Sequence, residues 1–229
     1  MNKNKIIIES NTYIIEKSGN YFLNPNDGDY NIIVNSNIKC QLVIISENRN
    51  YKVSYLLNDN SNLEVYSLNK DSNMIISFDL MENANLIYNN SVLAKKDSIS
   101  NIVINHLENN SSSVINNNGI NFTSNKLYFV LDGIIKNELT NITCSQNSKI
   151  INFLCGNSKV IPNLIIDSND IVANHSAYIG RVSDDDMFYL QSRGINKEDV
   201  KKLICKGLLL SQMDFSIIDE FTRLINEWW

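Results

Sequence analysis

From Lys5 to Ile171 the apolar residues of this chain arrive only in short bursts. QLVIIS, KVSYLL, LEVYSL, MIISFDL and LYFVLDGII are examples, each rich in Ile, Val, Leu and aromatic residues and each bounded by Asn, Asp, Ser or Gly. Bursts of that length and composition are strand signals, and the residues between them are turn formers. No window in this region carries an amphipathic stripe of about twelve residues or more, which a surface helix requires. Three quarters of the chain is therefore restricted to an all-β body.

The spacing of the bursts selects among β architectures. NSNIKC at Asn35, NSNLEV at Asn60 and NANLIY at Asn83 resemble one another at separations of 25 and 23 residues, and DSISNI at Asp97 and SSSVIN at Ser111 echo them at a shorter interval. A loose period with Asn-rich corners predicts the coils of a β-solenoid, in which ladders of inward Ile, Leu and Val stack from coil to coil. Asn suits the corners because it tolerates left-handed backbone and can stack in ladders. The competing reading is a sandwich or barrel built on irregular hairpins. Two prolines, eight glycines and a single Asn-Gly pair, at Asn118-Gly119, leave few hairpin turns to build it with, which favours the solenoid.

After Ser183 the rhythm becomes helical. Ser183 and Asp186 have capping-box spacing, and Asp184 and Asp185 suit the positive end of a helix. This ready use for the three aspartates outweighs a metal site. The first helix carries Met187, Phe188, Leu190 and Gln191 and stops at Gly194. A second starts at Asn196 as cap, with Val200, Leu203, Ile204, Gly207, Leu208 and Ser211 as its stripe, and a third begins near Asp214 or Ser216 with Ile217, Ile218, Phe221, Leu224, Ile225 and Trp228 on one face. The reading is mainly β: a β-solenoid core over residues 1–182 and a three-helix segment over 183–229.

Composition excludes several function classes. A net charge of -5 with scattered Lys and Arg offers no basic stripe for nucleic acid. Ile6–Ile8 is too short for a signal or membrane segment, so the expectation is a soluble cytoplasmic protein. Cys40, Cys144, Cys155 and Cys205 form no C-x-x-C pair, and with only His106 and His175 besides, a closed zinc site is not expected; the thiols read as reduced and mostly buried. His106 reads as structural. There is no phosphate-binding loop, nucleophile elbow or H-E-x-x-H.

One window breaks the monotony. IIDSNDIVANHSAYIGRVSDDDMFYLQSRGI, followed by NKEDVKKLICKGLL, resembles the C-terminal part of the SufB/SufD family, the scaffold proteins of SUF iron–sulfur cluster assembly. FYLQSRGI, preceded by a His-containing turn thirteen residues before Phe188, carries the likeness, and SQNSKIINFLCGNSKVIPNLII resembles the strands before it, with Pro162 at the family's Pro. The SufB branch has a cluster-assembling Cys where Ile150 stands here, and Glu after the His where Ser176 stands; both departures point to the SufD-like branch. Ala173 replaces a Cys common in SufD, and Tyr178 stands in the Thr region of the turn. The chain is shorter than family members commonly are.

The resemblance implies a β-helix followed by C-terminal helices, in agreement with the two rhythms. It implies a non-catalytic scaffold that pairs with a SufB-like subunit or a second copy of itself and docks a SufC-like ATPase, which would supply ATP hydrolysis. It implies no cofactor held stably by this chain alone, and a transient iron–sulfur cluster at the complex interface with His175 as its metal ligand, since neutral imidazole suits iron. In the family the C-terminal helices dock the ATPase, and Phe188, Tyr189 and Arg193 are the candidates here; Tyr189 and Arg193, four apart, share a helix face. Phe188 also suits a core contact beneath the helices. Two other classes stand beside this reading: a carbohydrate-active solenoid enzyme, which needs paired carboxylates that Asp79, Glu82, Glu108 and Asp132 do not form, and a self-associating structural solenoid, which needs a cleaner repeat.

Overall fold

The computed structural model describes residues 5–182 and 184–229. Fifteen strands, from β1 (Lys5–Ile7) to β15 (Asp170–Arg181), precede three helices, α1 (Asp184–Ser192), α2 (Lys197–Leu209) and α3 (Phe215–Trp228). Odd-numbered strands form one eight-stranded sheet and even-numbered strands a seven-stranded sheet, each in simple sequence order with parallel pairing throughout. Two strands, one per sheet, make each coil, so the body is a two-faced β-solenoid rather than a sandwich.

The corners show why the repeat is loose. Lys39, Asn62, Asn85, Ser112 and Thr143 stack on successive strands of the odd sheet, so the coil lengthens from 23 to 27 to 31 residues. The left-handed residues Asn37, Asn60, Asn83, Asn110 and Asn141 mark one corner in coil after coil. Asn83 donates to Asn60 and Asn141 to Asn110, each at 3.0 Å. NSNIKC therefore aligns two residues out of step with the sequence match: Asn37, not Asn35, shares its corner with Asn60. DSISNI and SSSVIN lie close in sequence because they belong to opposite sheets, in β10 (Ser98–His106) and β11 (Ser112–Asn121).

Between the sheets lies one apolar core, which includes Leu42, Val65, Tyr88 and Ile115 from one stacked column and Val53, Ile76, Ile102 and Phe129 from the facing sheet. The phenol of Tyr55 stacks on Phe78 with ring centroids 4.7 Å apart. A buried polar ladder runs alongside: Asn69 donates to Asn90 at 2.9 Å and Asn90 to Asn117 at 3.1 Å. Stacking lets each amide satisfy the next, which is how an interior can hold polar groups without unpaired atoms.

The helices cover the outer face of the odd sheet. Leu68, Leu93 and Ile120 of the sheet meet Cys205, Leu208 and Leu209 of α2 and Ile217, Phe221, Ile225 and Trp228 of α3 in a second core. Ser91 donates to the Leu209 carbonyl at 2.6 Å and Asn118 to that of Leu208 at 3.2 Å, so the sheet is tied by hydrogen bonds to the last turn of α2. Asn196 caps α2 through the Asp199 amide, and Asp214 caps α3 through the Ser216 amide. The stripe expected on α2 is rotated: Leu203 is exposed and Cys205 is fully buried, because the thiol packs as a small apolar group. The capping box read from Ser183 to Asp186 lies outside the described residues. All four thiols are free, with Cys40, Cys144 and Cys205 buried and Cys155 exposed. Among the described residues no helix is long and apolar enough to cross a membrane.

Candidate functional site

The solenoid ends on two strands whose outer edges are unpaired among the described residues, β14 (Asn157–Ile166) and β15. Core positions at this end have no following coil to cover them. Ile166 and Ile179 stack on the buried Ile135 and Ile150, yet are 38% and 44% exposed. Val172, Ile161 and Ile165 add further exposed apolar surface. Pro162 sits within β14, where a missing N–H is tolerated because the strand is an edge.

His175 lies in the middle of β15. This corrects the turn expected there: Asp170–Arg181 pairs along its length with β13 (Thr140–Asn152), and the polar, varied composition of the segment reflects an edge strand rather than a bend. His175 is in register with Gln146, which is buried, so the imidazole stands on the interior column at the open end of the solenoid. The same column runs back through Ile115, Tyr88, Val65 and Leu42. Gln146 Nε2 donates to the Asn163 carbonyl of β14 at 3.2 Å and so bridges the two sheets immediately beneath His175. A Cβ on Gly133 would come within 2.9 Å of Gln146 Nε2 and 3.0 Å of Cys144 Sγ, so glycine there makes room for both side chains.

Cys144 is the nearest thiol on this inner face, one alternation from Gln146, and it pairs with Ala173 of β15. Burial pushes its thiol above the ordinary range, opposed in part by a hydrogen bond with Ser113. His106 sits deeper, fully buried, with Nδ1 2.8 Å from Ser111 Oγ and Nε2 2.9 Å from Ser113 Oγ. Burial holds its pKa down to about 4. Both ring nitrogens are thus occupied by structural partners, as befits a neutral core imidazole. Among the described residues no group of three His, Cys, Asp or Glu side chains could hold a metal ion.

Of the remaining candidates, Phe188 and Tyr189 lie on α1, which packs against α2, and Arg193 lies in the turn that follows it. Phe188 is 73% exposed and is not a core contact beneath the helices. Tyr189 is 57% exposed. Arg193 Nη2 donates to Tyr189 Oη at 3.4 Å, and the guanidinium lies 5.3 Å from the ring centroid, so the two side chains do share one exposed face. No hydrogen bond or ring contact joins them to His175 among the described residues. Gln146 and the uncovered isoleucines of the open end escaped the sequence reading. Their signal is positional, visible only once the coil register is known.

Comparison with known proteins converges on one family. Residues 81–208, more than half of the chain, match the model described as "SUF system FeS cluster assembly, SufBD core domain". The iron–sulfur cluster assembly protein SufD of Bacillus subtilis is 46% identical over 48 residues, which is 21% of this chain and 11% of that protein. SufD of Escherichia coli is 44% identical over 43 residues, 19% of this chain and 10% of that protein. An iron–sulfur cluster assembly SufBD family protein of Pyrococcus horikoshii is 30% identical over 68 residues, 28% of this chain and 15% of that protein. The chain thus matches between a tenth and a sixth of the length of these relatives.

Proposed function

Because the chain belongs to the family defined by the SufBD core domain of the SUF iron–sulfur cluster assembly system, we propose that it is a SufD-like scaffold subunit. In this reading the open end of its solenoid pairs with a SufB-like subunit, and α1 docks a SufC-like ATPase. The observation that carries it is the juxtaposition at the open end: a histidine on the interior column, with isoleucines of core position beside it left more than a third exposed. An unpaired sheet edge must be protected or used, and a partner strand laid on β15 would satisfy its backbone groups and bury Ile166 and Ile179 together.

Pairing would also change the environment of His175. Closing the open end excludes water and leaves an imidazole nitrogen facing whatever ligand groups the partner presents. A nascent iron–sulfur cluster, the cargo of the assembly, would be held between them. A single protein ligand from this side fits transient holding, because imidazole in place of thiolate changes the charge and lability of a cluster. The chain itself supplies surface, orientation and one ligand, with no catalytic step of its own.

The pairing is tested with Ile166→Glu combined with Ile179→Lys. Both side chains are more than a third exposed, so the isolated double variant should keep its far-UV spectrum and unfold cooperatively. It should no longer co-purify with the SufB-like subunit. A folded double variant that still forms the heterodimer at wild-type yield would show that pairing uses another surface.

A further inference from the structure

We infer that Gln146 is a positioning residue for His175: its side-chain carbonyl, unpaired in the structure, is placed to accept an imidazole N–H once the His175 ring turns toward it, and so fixes which ring nitrogen faces outward from the open end. Gln146 is 1% exposed, and among the described residues its Oε1 has no hydrogen-bond partner, whereas its Nε2 donates to the Asn163 carbonyl. The amide orientation is not ambiguous: a backbone carbonyl only accepts, so the nitrogen must face Asn163. That leaves a buried carbonyl oxygen unsatisfied, which is costly, in a side chain that Gly133 makes room for.

His175 is the donor the register supplies. It occupies the same inner column on the next strand, where side chains of directly paired residues stand about 5 Å apart. Among the described residues its one stacked neighbour is Gln146, since β15 ends the order of its sheet there. The facing groups on β14 do not compete: Asn163 presents a carbonyl already engaged by Gln146, and Pro162 and Leu164 have no side-chain donor or acceptor. An imidazole that donates one N–H to a fixed acceptor presents the other nitrogen, unprotonated, to a metal, and such outer partners typically matter tenfold or more to the metal bound. The inference rests on the reading of His175 as the ligand on this side.

The experiment is long-range proton–nitrogen NMR of the ¹⁵N-histidine-labelled chain, at a pH where the imidazole is neutral, on wild type, Gln146→Leu and Gln146→Glu. Wild type and Gln146→Glu, which both keep a carbonyl acceptor, should show His175 as a single tautomer. Gln146→Leu should show the tautomer mixture of a free imidazole, with His106 unchanged as an internal control of folding. Cluster yield on the complex assembled with the SufB-like subunit should fall about tenfold in Gln146→Leu and recover in Gln146→Glu. An identical tautomer mixture in wild type and Gln146→Leu would overturn the inference, and would mean that water satisfies Gln146. A tautomer locked by Gln146, together with a cluster yield indifferent to His175→Ala, would instead remove the ligand reading and leave the hydrogen bond standing.

Discussion

Asn83 donates its side-chain amide to the side-chain Oδ1 of Asn60 across 3.0 Å, from the same corner of the solenoid one coil later, and both backbones are left-handed at φ 55° and 58°. Two demands thus fall on one residue type. The corner needs a backbone that most side chains resist, and the stack needs a group that donates and accepts along the axis. Asn83→Ala should lose about 2 kcal/mol of unfolding free energy in urea, of which about 1 is the left-handed penalty and about 1 the hydrogen bond. Asn83→Gly removes only the second, so it should lose about half as much. Equal losses in the two variants would contradict the backbone argument.

His106 makes stability depend on pH with a definite sign. Its ordinary value of 6.5 applies to the unfolded chain, and burial lowers the folded value to about 4. Above pH 6.5 both states are neutral and the contribution is complete. As pH falls from 6.5 toward 4 the unfolded chain takes up a proton that the folded chain refuses, and stability declines by up to about 3 kcal/mol. The urea midpoint of wild type should therefore fall toward that of His106→Gln over this window. Parallel pH profiles for the two proteins would show that His106 is free to ionise in the fold.

The exposed face of α1 can be removed without touching a core. Tyr189→Ala with Arg193→Glu breaks a surface pair that contacts neither sheet core, so the melting temperature should stay within a few degrees of wild type. Capture of the SufC-like ATPase should be lost, because hot-spot contacts of aromatic and Arg side chains each contribute about 2 kcal/mol, on the order of thirtyfold in affinity. Normal capture by the folded double variant would move docking to α2, where Leu203 is exposed.

The architecture was legible where the chain repeats a local demand. Asn at left-handed corners, strand-length bursts, the Asn196 and Asp214 caps and the apolar face of α3 are each set by a few neighbouring residues, and each lies where the pattern puts it. Register was less legible. A coil that grows from 23 to 31 residues hides its period, and matching Asn35 to Asn60 gives a register two residues out, an error that preserves which face a side chain takes but not its partner. β15 escaped the strand pattern because an edge strand at an open end is buried on neither face, so its residues need not alternate. For the same reason the isoleucines of the open end look like any others in sequence, and Gln146 is lost among polar residues until the sheet places His175 over it.

The most direct measurement of the scaffold account is cluster yield on the assembled complex. The chain, a SufB-like subunit and a SufC-like ATPase are co-expressed and purified without oxygen, with wild type and His175→Ala in parallel. Because His175 is exposed on an edge strand, its loss should leave folding and subunit stoichiometry unchanged while iron and acid-labile sulfide on the complex fall severalfold. Wild-type iron and sulfide on a stoichiometric His175→Ala complex would contradict the account of the open end as the place where the cluster is held.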